Sequence, residues 1–158
     1  MKVKFKKLHP NAKLPSYAKP GDAGMDLCAC LDMINWSKVM NPEDYAIYVA
    51  PGTIELIPIG LSMELPPGYE AQIRPRSGLA LKEGITVLNS PGTIDEGYRG
   101  PVGIILINHL QSNFSFKVTN GMKIAQMVIK PVERAEIEEV EELSDTERGQ
   151  GGFGSTGE

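Results

Sequence analysis

The apolar residues of this chain occur in short runs, and glycine or proline interrupts nearly every run within a few residues. There are 17 glycines and 12 prolines among 158 residues. Both residues disfavour long helices, whereas short strands joined by turns tolerate them at the strand ends. Regular alternation of strands with helices is also missing. The pattern therefore predicts an all-β fold, a sandwich or barrel, with at most one or two short helices.

Period-two alternation and short apolar runs place the strands. We expect strands at 3–8, 25–29, twice within 53–65, and at 70–74, 85–88, 102–108, 115–118 and 124–129. One short helix over 77–84 should end at Gly84. We predict a loop over 9–24, and over 133–143 an edge strand followed by solvated chain. The stretch 31–49 is the least regular and is a possible surface insertion, in which 41–44 could begin one helical turn.

The charge is unevenly distributed. Residues 131–158 contain nine acids and two bases, a net charge of −7, against +3 for the preceding 130 residues. A duplex-binding protein clusters Lys and Arg on one surface, so we predict no nucleic-acid partner. No apolar run is long enough to span a membrane and the start lacks a signal-peptide core, so we expect no membrane partner and a cytoplasmic location.

Two cysteines, Cys28 and Cys30, are separated by one residue. On a strand this spacing points both side chains the same way, which is poor geometry for a disulfide, and we predict two free thiols. A zinc site would require His9 and His109 to converge on them, and the absence of a C-x-x-C pair argues against it.

Several segments carry groups suited to a phosphorylated ligand. Pro75-Arg76-Ser77-Gly78 offers a guanidinium, a hydroxyl and backbone amides for phosphate, although Ser77 could instead serve only as a helix N-cap. The loop 89–100 carries Asn89, Asp95 and Tyr98, and Asp95 could orient and deprotonate a water, or serve only a hairpin turn.

Three further features have both functional and structural readings. Asp26 lies in an apolar run and needs a cationic partner. Gln126, on a predicted strand, needs hydrogen-bond partners. The C-terminal segment 148–157 is rich in glycine with one aromatic residue, so it could wrap phosphates and stack on a base, or remain a flexible tail.

Taken together and in this order, five segments resemble the five motifs of the trimeric dUTPase family. They are 23–29, 75–80, 89–108, 121–129 and 148–157, within a match from about Lys7 to Gly157. The resemblance implies a jelly-roll-like β-clip barrel over 1–147 and a flexible arm over 148–158 that closes the active site. It implies a homotrimer with active sites at subunit interfaces, and Mg²⁺ as cofactor.

The resemblance also implies an activity: hydrolysis of dUTP to dUMP and pyrophosphate, which removes dUTP and supplies dUMP for thymidylate synthesis. Asp95 would activate the attacking water. Asp26 would support Mg²⁺, through water, while the phosphates hold most of the ion. The remaining implied residues contact the substrate. The phosphates would be held by Arg76, Ser77, Gly78 and Gln126, and the uracil would be contacted by Asn89 and the backbone of 100–103, including Gly103. Tyr98 would pack against the deoxyribose, while on the arm Phe153 and Gly154 would lie at the base and Arg148, Ser155 and Thr156 at the phosphates.

Two alternatives remain. A dCTP deaminase of the same fold would carry a glutamate base on the strand after the central loop, and residues 102–107 contain no carboxylate. A catalytically silent trimer could bind nucleotide in order to signal to a protein partner, and intact Asp95 and Tyr98 argue against it.

Overall fold

The computed structural model describes residues 1–34, 45–110 and 114–152. In these ranges the chain forms twelve strands, one α-helix and one 3₁₀ turn. The strands are β1 Lys4–Lys7, β2 Ser16–Tyr17, β3 Met25–Cys28, β4 Ala46–Val49, β5 Ile54–Pro58, β6 Leu61–Glu64, β7 Tyr69–Arg74, β8 Ile85–Val87, β9 Gly92–Ile94, β10 Gly103–Asn108, β11 Phe116–Thr119 and β12 Lys123–Pro131. Helix α1 spans Ser77–Glu83 and the 3₁₀ turn spans Leu31–Met33. The all-β prediction is confirmed.

All strand pairs are antiparallel and form four sheets. The largest has the order β2-β3-β12-β7-β9, the next has the order β5-β10-β8, and two-stranded sheets are formed by β1-β6 and β11-β4. Buried aliphatic side chains from these sheets form one core cluster, which includes Leu27, Ile57, Ile104 and Met127. Alternation of buried and exposed residues along β7 and β10 gives one core face and one outer face.

The helix prediction is confirmed at its C-terminal end. Gly84 caps α1 in the left-handed region at φ 59°, and its amide donates to the Leu79 carbonyl. At the other end Arg76 is the N-cap, without a side-chain capping bond, and Ser77 is the first helical residue. The alternative reading of Ser77 as an N-cap is therefore wrong.

Three strand expectations are corrected. The predicted loop 9–24 contains β2, and the predicted loop 89–100 contains β9. No strand is found in 132–152, so the edge strand expected at 133–143 is wrong, and those residues are exposed to solvent. The helical turn expected at 41–44 lies outside the described residues. None of the helices in the described ranges has the length and hydropathy of a membrane span.

Candidate active site

The five-stranded sheet brings two of the predicted polar residues side by side. Strand β12 lies between β3 and β7, and its register pairs Gln126 with Asp26 on one side and with Arg74 on the other. Because β7 runs directly into the 75–78 segment, the same register places that segment beside Asp26. Long-range pairing thus joins segments that are about 50 residues apart in sequence.

A cleft of about 520 Å³ opens at this place. Five of the predicted residues line it: Asp26, Arg76, Ser77, Gly78 and Gln126. Ser77 and Gly78 are exposed, and Arg76 is half-buried. A guanidinium and a hydroxyl on one wall of an open cleft suit an anionic ligand.

Asp26 is held between two cations. Its Oδ1 accepts from Arg76 Nε at 3.1 Å and its Oδ2 lies 2.6 Å from Lys123 Nζ. The Asp26 side chain is only 13% exposed, whereas the Arg76 and Lys123 side chains are 36% and 49% exposed, so the carboxylate is largely buried and its two partners reach solvent. Arg76 also donates from Nη1 to the Lys123 carbonyl at 3.3 Å, which ties the loop to β12.

Lys123 is the residue that the sequence reasoning missed. It lies in the 121–129 segment, for which the sequence predicted a role only for Gln126. The pairing of β3 with β12 places Lys123 beside Asp26. The isolated acid at Asp26 was the available signal, since a half-buried carboxylate requires a cationic partner.

Gln126 anchors the segment that carries Arg76. Its Nε2 donates to the Pro75 carbonyl at 2.8 Å. Gly24 packs so closely against this amide that a Cβ there would lie 2.2 Å from Gln126 Oε1. In this arrangement Gln126 positions the loop through its amide nitrogen.

A second cleft, of about 180 Å³, contains Asp95, Tyr98 and Gly103. Tyr98 donates from its hydroxyl to the Pro101 carbonyl at 2.8 Å, which fixes the ring across the loop. Gly100 lies directly against that ring, and a Cβ there would come within 2.5 Å of Tyr98 Oη. The first and second clefts share none of their described lining residues.

The remaining predicted residues stand apart from both clefts or cannot be placed. Asn89 is exposed in the turn between β8 and β9, next to Gly92. Arg148 is exposed and donates from Nε to the Gly151 carbonyl at 3.0 Å. Phe153, Gly154, Ser155 and Thr156 lie outside the described residues.

The contacts of the Asp26 carboxylate decide whether it can bind Mg²⁺ directly. This ion takes oxygen ligands at near-octahedral angles and retains several waters. Both carboxylate oxygens of Asp26 already contact cations, so this arrangement does not fit a direct ligand. It fits support through water, with the ion held by the phosphates of a bound substrate.

The outer face of the three-stranded sheet is apolar. Ile54, Leu56 and Leu88 are 51%, 64% and 46% exposed, and Ile105 and Ile107 lie between them, half-buried. Leu56 reaches the second cleft, because a Cβ on Gly103 would lie 2.7 Å from Leu56 Cδ1. This apolar face borders the cleft that contains Asp95.

The two cysteines, Cys28 half-buried and Cys30 buried, are free thiols, as predicted. His109 does not join them: its amide donates to the Gly84 carbonyl at the end of α1.

Comparison with known proteins agrees with the fold. The dUTPase family model matches residues 10–157. The deoxyuridine 5′-triphosphate nucleotidohydrolase of Gloeothece citriformis is 58% identical over 157 residues, covering 99% of this chain and 97% of that protein. Its counterpart from Clostridium tetani is 58% identical over 155 residues, covering 98% and 96%. The structure of the Staphylococcus bacteriophage 80alpha dUTPase with dUPNHPP is similar at a TM-score of 0.80, with 27% identity and coverage of 99% and 98%.

An all-β fold with a polar cleft that presents Arg76, Ser77 and Gly78 defines a protein suited to an anionic small molecule. The family match is more specific: this chain belongs to the dUTPase family. The resemblance drawn from the five segments is confirmed, and with it the assignment to a family of nucleotide-hydrolysing enzymes.

Proposed function

We propose that the protein hydrolyses dUTP to dUMP and pyrophosphate. The observation that carries this proposal is the family match over nearly the whole chain, residues 10–157, at 58% identity to two relatives named for this activity. The Arg76 guanidinium, the Ser77 hydroxyl and the Gly78 amide in the larger cleft support it, because these groups can bind phosphate. The protein would thereby remove dUTP and supply dUMP for thymidylate synthesis.

In the proposed reaction, the Asp95 carboxylate orients a water and accepts its proton as the oxygen attacks the α-phosphorus in line. The new bond joins the water oxygen to phosphorus, the bond from phosphorus to the bridging oxygen breaks, and pyrophosphate leaves. Asp95 is exposed at the end of β9, where a water can reach it. Positioning of this kind is the main contribution of a protein to phosphoryl transfer.

The phosphates would lie in the larger cleft, where Arg76, the Ser77 hydroxyl and the Gly78 amide face them. Gln126 and Asp26 hold that wall in place through Pro75 and Arg76. Mg²⁺, carried mainly by the phosphates and supported by Asp26 through water, supplies neutralisation of the triphosphate charge.

The nucleoside would occupy the smaller cleft. The Tyr98 ring would pack under the deoxyribose and leave no space for a 2′-hydroxyl, while Asn89 and the backbone of 100–103 would contact the uracil edge. Fixing of the Tyr98 hydroxyl by the Pro101 carbonyl gives the ring the rigidity that this discrimination requires.

A homotrimer explains why one chain holds two clefts without a shared lining residue. The apolar face formed by Ile54, Leu56, Ile105 and Ile107 borders the Asp95 cleft, so a second copy seated there would complete the site.

The arm, residues 148–158 beyond the domain 1–147, would close on the nucleotide: Phe153 and Gly154 at the base, and Arg148, Ser155 and Thr156 at the phosphates. Free Cys28 and Cys30 are consistent with a cytoplasmic location.

The test is an incubation of the full chain with Mg²⁺ and dUTP, and in parallel with dCTP. We expect dUMP and pyrophosphate from dUTP and no ammonia from dCTP. Ammonia release would support a deaminase, and tight binding of dUTP without product would support a signalling protein. The deaminase is disfavoured by β10, which carries no carboxylate.

A further inference from the structure

Outside both clefts, three side chains with different donor atoms converge. They are His9 in the loop after β1, buried Cys30 after β3, and Asp32 in the 3₁₀ turn. One ligand atom from each, an imidazole nitrogen, the thiol sulfur and a carboxylate oxygen, lies within 4.8 Å of the other two. His9 Nδ1 and Asp32 Oδ2 are 3.7 Å apart.

We propose that His9, Cys30 and Asp32 form a binding site for Zn²⁺, with water in the fourth position. Thiolate, imidazole and carboxylate are the three ligand types that this ion takes in proteins. Tetrahedral zinc with ordinary bond lengths separates neighbouring ligand atoms by about 3.3–3.8 Å. The His9–Asp32 separation already has this length, and the sulfur needs to move inward by no more than about 1.5 Å.

The carboxylate is held in place by neighbours that could act as an outer shell. Asp32 Oδ2 accepts from Asn120 Nδ2 at 2.9 Å and from Asn11 Nδ2 at 3.2 Å, and Oδ1 accepts from the Tyr45 hydroxyl. These bonds, Tyr45 first and then Asn120, hold the pKa of Asp32 below its ordinary value. Outer-shell hydrogen bonds of this kind orient metal ligands and keep them ionised.

The site is buried at one end and open at the other. Cys30 is 1% exposed, whereas the His9 and Asp32 side chains are 31% and 17% exposed and leave an entry path.

Binding has one identifiable cost. The backbone N–H of Asn11 donates to His9 Nδ1 at 3.2 Å, and zinc would replace this long hydrogen bond. In return the ion would join the loop after β1 to the turn after β3, and through Asn120 to the β11-β12 turn. We therefore expect the bound ion to stabilise the fold.

The chain supplies its own matched controls, because it has two histidines and two cysteines and one of each lies outside the cluster. Co²⁺ serves as the spectroscopic probe for zinc, in a titration of the full chain without nucleotide. We expect one equivalent per chain, with a thiolate-to-cobalt charge-transfer band and tetrahedral ligand-field bands, displaced by Zn²⁺ but not by Mg²⁺. His9→Gln and Cys30→Ala should abolish the bands, whereas His109→Gln and Cys28→Ala should retain them.

Thermal unfolding supplies a second readout that does not depend on activity. Excess Zn²⁺ should raise the Tm of the wild type and of His109→Gln, and leave the Tm of His9→Gln unchanged. His9 is partly exposed, so its variant should fold even if Cys30→Ala does not. Absence of the charge-transfer band, its loss in Cys28→Ala, or equal Zn²⁺ stabilisation of His9→Gln would overturn the proposal.

Discussion

The Asp26 carboxylate bridges Arg76 and Lys123, with Oδ1 at 3.1 Å from the guanidinium and Oδ2 at 2.6 Å from the ammonium. Asp26→Asn removes the charge that holds Arg76 against the phosphate cleft. We expect kcat/KM for dUTP to fall about 10- to 100-fold, because small displacements of a positioning group cost this much. Steady-state kinetics against Mg²⁺ concentration checks it.

The matched control is Asp22→Asn. Asp22 lines the same cleft, but its Oδ2 accepts from the Lys19 amide, a bond that asparagine can retain. The Mg²⁺ concentration for half-maximal rate should rise only modestly in Asp26→Asn, because Asp26 supports the ion through water. A large increase in that concentration would instead make Asp26 a metal ligand.

Asp95→Asn tests the water-activating group. Asparagine preserves the shape of the side chain but cannot accept the proton, so we expect kcat to fall about 10²- to 10⁴-fold. Binding of a non-hydrolysable dUTP analogue, measured by calorimetry, should remain close to that of the wild type. Glu96→Gln is the neighbouring control: Glu96 accepts from the Gly68 amide at 2.6 Å, which places it in the loop scaffold. Near-normal kcat in Asp95→Asn would remove Asp95 from the mechanism.

Gly100→Ala tests the sugar discrimination without altering Tyr98 itself. The added methyl group would lie 2.5 Å from Tyr98 Oη and 2.7 Å from Cζ, so the ring must move. We expect the dUTP to UTP ratio of kcat/KM to fall about tenfold. Gly97→Ala is the control in the same loop, because a Cβ there meets nothing within 4 Å. An unchanged ratio in Gly100→Ala would count against Tyr98 as the sugar gate.

Leu56→Glu tests the assembly. A carboxylate in the centre of the apolar face would be desolvated by a neighbouring chain, which is costly without a partner charge. Light scattering should give the mass of three chains for the wild type and of one chain for the variant. The control is Leu81→Glu, because Leu81 is 86% exposed on α1, not on this sheet. A trimeric Leu56→Glu variant would place the interface elsewhere.

Sequence patterns found most strands because the strands contain enough residues to show alternation. The two strands expected within 53–65 are β5 and β6, separated by a bend at Pro58 and Gly60, with Gly60 at φ 69°. Strand β2 has two residues and β9 has three, too few for a period to appear, and their pairing with β3 and β7 is long-range. At 133–143 the few apolar residues are spaced by two or three positions and alternate poorly, and no strand forms there.

The site was predictable to the extent that its residue types are distinctive. Arg76, Ser77, Gly78, Gln126 and Asp26 meet in one cleft, as the five segments suggested. Their mutual contacts were not predictable, because they depend on the β3-β12-β7 register. The same limit applies to the cysteines. The sequence argument considered His9 and His109 as their partners and disfavoured zinc, because sequence distance does not reveal that Asp32 lies beside His9 and Cys30.

Asp32→Asn tests the role of that carboxylate in stability, independently of metal, in buffer with EDTA. Hydrogen bonds from Tyr45 and Asn120 lower the pKa of Asp32 in the folded state, so the unfolded chain binds its proton more readily. The resulting stability is present above the unfolded value of about 3.9 and is lost as pH falls through the lower folded value. We expect the Tm of the wild type to exceed that of Asp32→Asn by a constant amount above about pH 5, and the difference to shrink below about pH 4. Asp145→Asn, in the exposed tail, should follow the wild type throughout. A pH-independent difference in Asp32→Asn would mean that the carboxylate acts through shape alone.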